Sequence, residues 1–349
     1  MISDRMGPEC DFNQLSKREG TGFSPYIPGA KEKGALAPEL GCFKSAIAVF
    51  LLFIALPLAH AQSQSDAPSA TFHVNVKLVN VVVNVTDKAG AIVGGLTRED
   101  FHLTEDGRPQ KIEIFERESE MPLNLALAID TSGSVFKDRA VETDAAKHFV
   151  HALMRPQDKM SLIEFATDVI VRSQFTNKVS QIDRGLGMLR GGDATALYDA
   201  IHLGAHSLGQ FDGRKVLVVV SDGSDTVKST TYAEALEEAL RDEVMIYSLI
   251  DVPIAASAGR DTGGEHALIT LAEQTGGKSF YVNNGGLDKA FARVSEDLRT
   301  QYVLGYYPKN QEPGRAFHRL QITVPRASAS DFNIRHRTGY YADSPLKTN

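Results

Sequence analysis

Between Leu123 and Thr300 short apolar runs alternate with amphipathic segments, and this alternation limits the possible folds more than any other feature of the chain. Uninterrupted apolar runs suit strands buried on both faces. The expected strands fall at 123–130, 158–166, 168–174, 214–221, 243–250 and 278–282. The intervening segments 137–153, 178–189, 195–208, 231–241, 264–275 and 285–299 have helical spacing. In the second of these, Ile182, Leu186 and Leu189 form one stripe with Asp183 and Arg184 off it. Such alternation predicts an α/β fold: a three-layer, doubly wound, mostly parallel sheet with helices on both faces.

Two of the runs end on an acid. Leu123–Ile129 is followed by Asp130-Thr131-Ser132-Gly133-Ser134, and Val216–Val220 by Ser221-Asp222. Between them, Gly191-Gly192-Asp193-Ala194-Thr195 puts a Thr at the mouth of an amphipathic helix. Ligands of open α/β sheets bind outside the carboxyl ends of strands, at a topological switch point, so Asp130 and Asp222 can lie side by side. Asp-x-Ser-x-Ser places three hard oxygen donors on one tight loop. Oxygen donors suit Mg²⁺, Mn²⁺ or Ca²⁺ rather than zinc or copper. Taken alone, the same five residues also suit capping of the following helix.

With Thr195 and Asp222 added, the pattern resembles the von Willebrand factor A (VWFA) domain over about residues 121–300. The metal-ion-dependent adhesion site of that family uses Asp-x-Ser-x-Ser, a distant Thr and a distant Asp. The resemblance implies a VWFA/Rossmann-like fold and assigns those roles to Asp130, Ser132, Ser134, Thr195 and Asp222. It further implies that the Ser and Thr hydroxyls reach a Mg²⁺ ion (or Mn²⁺ or Ca²⁺) while the two acids hold its waters. One outward position would take a Glu or Asp carboxylate from a protein partner. Asp193 and Asp225 are additional acids near the site. They read as solvated or helix-capping side chains, or as a tuning of ion affinity.

The flanks differ in composition. Residues 62–70 are a Ser/Gln/Ala/Pro-rich linker. In 71–118 apolar residues alternate with polar ones, but the phase slips between Leu78 and Val79. That slip predicts a β-bulge or a strand covered on both faces. Phe101–Glu105 and Gln110–Glu116, around a turn at Asp106-Gly107, read as a hairpin. After Thr300 the helices stop, and Tyr302–Tyr307, His318–Val324 and Phe332–Tyr341 are strand-like. The 301–343 segment is expected to pair with 71–118 in a small β-sandwich-like unit, leaving 344–349 as a tail. Its tyrosines (Tyr302, Tyr306, Tyr307, Tyr340 and Tyr341) read as half-buried sheet packing, with a binding face as the alternative. The layout, with Gly95-Leu96-Thr97-Arg98-Glu99-Asp100-Phe101 and the ending Arg337-Thr338-Gly339-Tyr340-Tyr341, is similar to the bacterial VWFA-related proteins typical of Acidobacteria.

Residues 1–61 read as a leader and signal peptide. Lys44 precedes the apolar stretch 45–58, and Ala59-His60-Ala61 supplies a small-x-small cleavage site. The stretch is short for a membrane span, which needs about 20 apolar residues. The protein is therefore expected to be exported, periplasmic or secreted. The alternative is an uncleaved anchor at 45–58 in the inner membrane, the one case in which a membrane is a partner. Both cysteines, Cys10 and Cys42, precede the cleavage point, so the mature chain would form no disulfide.

Several chemistries are disfavoured. A net charge of −7 without a Lys/Arg-rich run argues against a nucleic-acid surface. An aspartyl phosphatase built on Asp130 would need a second Asp two residues on, where Ser132 stands. No Gly-x-Ser-x-Gly elbow surrounds Ser132. His202-x-x-x-His206 lacks the Glu of a His-Glu-x-x-His zinc motif and reads as two surface histidines one turn apart, as do His148 and His151. Asn84-Val85-Thr86 matches a glycosylation sequon but lies inside an expected strand. The expectation is a non-enzymatic, adhesion-type binding protein that holds an acidic residue of a protein partner through its ion. A structural envelope-complex scaffold, in which the ion only stabilises loops, is the alternative. A metal-dependent hydrolase is a remote third.

Overall fold

The computed structural model describes residues 78–117, 121–133, 135, 139–251, 261–282, 286–309, 317–325 and 332–342. The leader and signal segment, the linker, both cysteines, Ser134 and the 344–349 tail lie outside these residues.

The α/β layer is a six-stranded sheet. Its strands are β5 (Leu123–Asp130), β6 (Lys159–Phe165), β7 (Val169–Thr176), β8 (Arg214–Ser221), β9 (Met245–Ile250) and β10 (Ser279–Tyr281). Their spatial order is β10-β9-β8-β5-β6-β7, and only β7 runs antiparallel. All eight residues of β5 are buried, as its position in the middle of the sheet demands. Successive side chains of a strand point to opposite faces. Leu123, Leu125, Leu127 and Ile129 meet one layer of helices: α1 (Arg139–Leu153), α2 (Val179–Leu186) and α6 (Leu287–Arg299). Ala126 and Ala128 meet the other layer: α3 (Leu197–Gly209), α4 (Tyr232–Arg241) and α5 (Thr262–Thr275). The small residues on that face let α3 approach closely. A Cβ on Gly204 would come within 2.9 Å of Leu217.

The expected α/β class and mostly parallel sheet are therefore observed, with element ends shifted by only a few residues. The sheet has its switch point at β5, because the chain goes from β5 to β6 on one side and later to β8 on the other. The crevice between the carboxyl ends of β5 and β8 is thus where the fold leaves room for a ligand.

Two antiparallel four-stranded sheets flank this unit. One has the order β13-β1-β11-β4, with β1 Val79–Asp87, β4 Ile112–Arg117, β11 Tyr302–Tyr306 and β13 Phe332–Arg335. The other is β14-β12-β2-β3, with β2 His102–Glu105, β3 Arg108–Gln110, β12 Phe317–Thr323 and β14 Gly339–Tyr341. Between them pack Val81, Val83, Phe101, Leu103, Leu304, Tyr306 and Ile322. Tyr302, Tyr306 and Tyr340 lie in this core, whereas Tyr307 is exposed.

The hairpin differs from its expected form. Only Arg108–Gln110 pairs with β2; the strand breaks at Lys111, and β4 pairs with β11 in the opposite sheet. Turning this corner points Ile112 into the core between the sheets, where it is buried. Residues 71–77, which carry the first half of the phase slip, lie outside the described residues; within β1 the ladders are regular. Its later residues are covered on both faces because Val82 packs on the α/β core and Asn84 Nδ2 donates to the Asp297 carbonyl at 3.1 Å.

Asn84 belongs to a polar network where the small sheets meet the α/β sheet. Gln301 Nε2 donates to Asn84 Oδ1 at 3.3 Å and to the Tyr247 hydroxyl at 3.2 Å. Tyr247 donates to Asp297 at 2.6 Å, and Arg335 grips both oxygens of Asp297 at 2.6 and 2.8 Å. Arg214 Nη1 donates to the Leu298 carbonyl at 2.6 Å. Burial, with Asp297 adjacent, holds the Tyr247 phenol un-ionised well above its usual range. Asn84, Tyr247 and Arg335 from three strands, Asp297 from α6 and Gln301 from the link between α6 and β11 thereby satisfy one another, as buried polar groups must.

Candidate metal centre

The centre begins with Asp130, where β5 leaves the sheet. The carboxylate is fully buried. Its Oδ1 accepts from the Ser132 backbone N–H at 2.9 Å, and its Oδ2 accepts from the Ser221 hydroxyl at 2.7 Å. Ser221 ends β8, and its Oγ also accepts from the Gly223 N–H at 3.1 Å. The Asp130–Ser221 bond therefore stitches together the carboxyl ends of the two strands that flank the switch point.

Neighbouring loops fix the rest. Thr131 N–H donates to the Phe165 carbonyl at 2.9 Å, holding the loop against β6. Gly133 N–H donates to the Gly192 carbonyl and Gly192 N–H to the Thr131 carbonyl, both at 3.1 Å. Position 192 has to be small, since a Cβ there would come within 2.6 Å of the Ala166 Cβ. Three residues on, Thr195 is buried. Its N–H donates to Thr226 Oγ1 at 2.9 Å, and its carbonyl accepts from Thr226 and Val227 N–H groups. The Gly192–Thr195 segment is thus strung between the loop after β5, through Gly192, and the loop after β8, through Thr195.

Asp222 is half-buried, and its Oδ1 accepts from the Ser224 N–H at 3.0 Å. The adjoining Gly223 has φ +96°, and its Cβ position would lie 2.5 Å from the Gly264 carbonyl carbon. A glycine is required there on both counts. Asp225 caps α3, accepting from the N–H groups of Leu197 at 2.9 Å and Tyr198 at 3.4 Å. Asp193 is exposed.

The electrostatics follow from this burial. Desolvation pushes the Asp130 carboxyl up from 3.8 to about 6. Hydrogen bonds from the Ser132 hydroxyl and N–H and from Ser221 oppose the rise, and the nearby Asp222 adds to it. A divalent cation would reverse the balance, because a charge of +2 favours the ionised acid. The donor set is chemically suited to such an ion: a buried carboxylate, a second carboxylate beside it, and the buried hydroxyls of Ser132 and Thr195.

The structure groups Asp130, Ser132 and Asp222 around the ends of β5 and β8, with Thr195 on the adjoining loop. Ser221 and Gly223, which the motif does not include, join this cluster, and the strand-ending Ser221-Asp222-Gly223 carries their signal: a hydroxyl, an acid and a turn at a β-strand terminus.

A second group able to reach an ion lies in the small sheets. His318 Nδ1 is 2.8 Å from Asp106 Oδ2 and 3.4 Å from Glu105 Oε1, and Tyr306 donates to Glu105 at 2.7 Å. An ion on Nδ1 would force the ring proton onto Nε2, which is buried without a hydrogen-bond partner. The group is better satisfied as a hydrogen-bonded cluster.

Residues 125–224 match the von Willebrand factor type A domain family. No curated protein sequence matches the chain. Among solved structures, it is similar to an aerotolerance-related membrane protein from Bacteroides fragilis carrying multiple mutations to serines. The identity is 20%, the match covers 50% of this chain and 98% of the other, and the TM-score is 0.40. The conserved hypothetical protein BatB from Bacteroides thetaiotaomicron matches at 19% identity over 50% and 97% of the two chains, with a TM-score of 0.41. The vWF domain of the type V pili tip protein Mfa5 from Porphyromonas gingivalis matches at 11% identity over 50% and 94%, with a TM-score of 0.40.

Proposed function

Because this chain is a von Willebrand factor A domain protein, we propose that it is an exported, non-enzymatic binding protein of adhesion type. Its contact with a protein partner runs through a metal-ion-dependent adhesion site. The ion is Mg²⁺ (or Mn²⁺ or Ca²⁺). Ser132, Ser134 and Thr195 supply hydroxyls to it, and Asp130 and Asp222 hold its waters and balance its charge. The observation that carries this reading is the buried Asp130, an acid at the switch point whose ionisation burial makes costly. An ion removes that cost.

The chemistry of the contact follows from the ligands. Neutral hydroxyls leave the ion strongly electrophilic. Its outward position then favours a carboxylate, so an Asp or Glu of the partner completes the shell and the contact becomes both ion-dependent and acid-selective. The leader-like segment 1–61 supports export. Among the described residues no helix is long and apolar enough to cross a membrane.

The test is partner capture from the parent organism's envelope fraction with the full-length mature chain, in Mg²⁺ and in chelator. Capture that needs Mg²⁺ and is lost in Ser132→Ala supports an adhesion site. Capture unchanged by chelator would favour the scaffold role, with the ion serving only the loops.

A further inference from the structure

A second cluster of metal-ligating side chains lies at the opposite pole of the α/β unit, where α3 and α4 end and β8 and β9 begin. His206 Nδ1 is 2.6 Å from Glu238 Oε1. Asp242, one turn beyond Glu238 at the end of α4, brings its carboxylate against that of Glu238. The three ligand atoms all lie within 4.8 Å of one another. We propose that His206, Glu238 and Asp242 form a binding site for a zinc-class divalent ion, independent of the oxygen-ligated centre at Asp130.

Three observations carry this. The first is the placement of the acids. Glu238 and Asp242 sit beside the carboxyl-terminal ends of two helices, where the macrodipole is negative and acids are disfavoured. Two carboxylates in contact there repel each other. The positive groups that act on Asp242 are Lys215 and His206. A cation between the acids relieves the repulsion that one lysine and one imidazole only moderate.

The second observation is a cradle. A Cβ on Gly209, the last residue of α3, would come within 2.4 Å of the Asp242 carboxyl group. No positive φ requires glycine at this position. What the missing side chain provides is room for a carboxylate beside another carboxylate and an imidazole.

The third is the tautomer. His206 is exposed, so an ion on Nδ1 leaves the Nε2 proton in water at no cost. This is the reverse of His318, whose outer nitrogen is buried. His202, one turn earlier, stacks parallel to His206 with ring centroids 6.4 Å apart and supports its plane.

One imidazole nitrogen and two carboxylate oxygens suit zinc, cobalt or nickel better than magnesium. Tetrahedral zinc needs ligand atoms about 3.4 Å apart, given bonds of about 2.0–2.2 Å. The 2.6 Å between His206 Nδ1 and Glu238 Oε1 must lengthen to that spacing, and the His206 side chain is exposed and can turn on its torsions to allow it. Water fills the remaining position.

The experiment is calorimetric titration of the full-length mature chain with Zn²⁺, with millimolar Mg²⁺ present to occupy the oxygen-ligated centre. One zinc equivalent should bind. Loss of even an outer partner of a metal ligand costs about 10–100-fold in affinity. His206→Ala, which removes a ligand, should therefore weaken the equivalent at least about tenfold. Gly209→Ala, which fills the cradle, should weaken it too. His148→Ala removes an exposed imidazole beside Asp288, far from the cluster in sequence, and it should leave the titration unchanged. His206 is exposed, so circular dichroism should show its variant folded. No zinc equivalent in wild type, or an unchanged affinity in His206→Ala, would overturn the proposal.

Discussion

Replacing Asp130 with Asn separates the cost of the buried acid from the benefit of its ion. The carboxyl is raised from 3.8 to about 6, with burial as the main cause. One pKa unit corresponds to about 1.4 kcal/mol, so ionising Asp130 in the metal-free native state costs about 3 kcal/mol at neutral pH. Below pH 3.8 both folded and unfolded chains are protonated, and the group contributes nothing. Between 3.8 and about 6 the native state keeps a proton that the unfolded chain has lost, so stability falls as pH rises. Above that window the deficit is constant. Asn cannot ionise and escapes it, while its amide still accepts from Ser132 N–H. The bond from Ser221 is disturbed, at a cost of about 1 kcal/mol.

In chelator at pH 7, Asp130→Asn should therefore be more stable than wild type by about 2 kcal/mol, and at pH 4 the advantage should vanish or reverse. Saturating Mg²⁺ changes the order, because an ion at 100 Kd adds about 2.7 kcal/mol to wild type and little to the variant. Urea unfolding followed by circular dichroism at pH 4 and pH 7, with Mg²⁺ or chelator, reads all of these terms. An Asn variant that is less stable than wild type in chelator at pH 7 would refute the buried-charge argument. Equal Mg²⁺ stabilisation of the two proteins would remove Asp130 from the ion site.

Three other outcomes are expected. Asp222→Ala should lose Mg²⁺ stabilisation as an Asp130→Ala variant does, and the double variant should be little worse than either, since groups serving one ion are non-additive; additive losses of Mg²⁺ affinity, measured by calorimetry, would argue against a shared site. Arg335→Ala leaves Asp297 buried without its bidentate partner and should cost about 3–5 kcal/mol in urea unfolding. Removing residues 301–349 deletes β11 from the middle of its sheet and uncovers the paired edges of β1 and β4, so light scattering should report aggregation. A soluble monomer with an unchanged melting temperature would show that the flanking strands are independent units.

Much of the architecture is written locally in the sequence. A run of seven residues, apolar but for Asn124 and ended by Asp130, marks a buried strand and its exit, whatever the strand's neighbours are. The helices are equally legible, because their stripes arise from spacing of three and four residues, as at Ile182 and Leu186. The donors of the metal centre could be named for the same reason: each stands at the end of a strand or the mouth of a helix. What these patterns do not contain is pairing. The bond from Ser221 to Asp130 spans 91 positions in sequence and exists because strand order puts β8 beside β5. The break at Lys111 carries no clear local sign, since both halves of that segment have strand propensity and only the position of β11 decides which sheet β4 joins. The Asn84–Gln301–Tyr247–Asp297–Arg335 network and the meeting of His206 with Glu238 and Asp242 are of the same kind. Local propensity acts over a few residues, whereas the partner of a buried charge or an imidazole is whatever the tertiary packing of distant segments brings within hydrogen-bond reach.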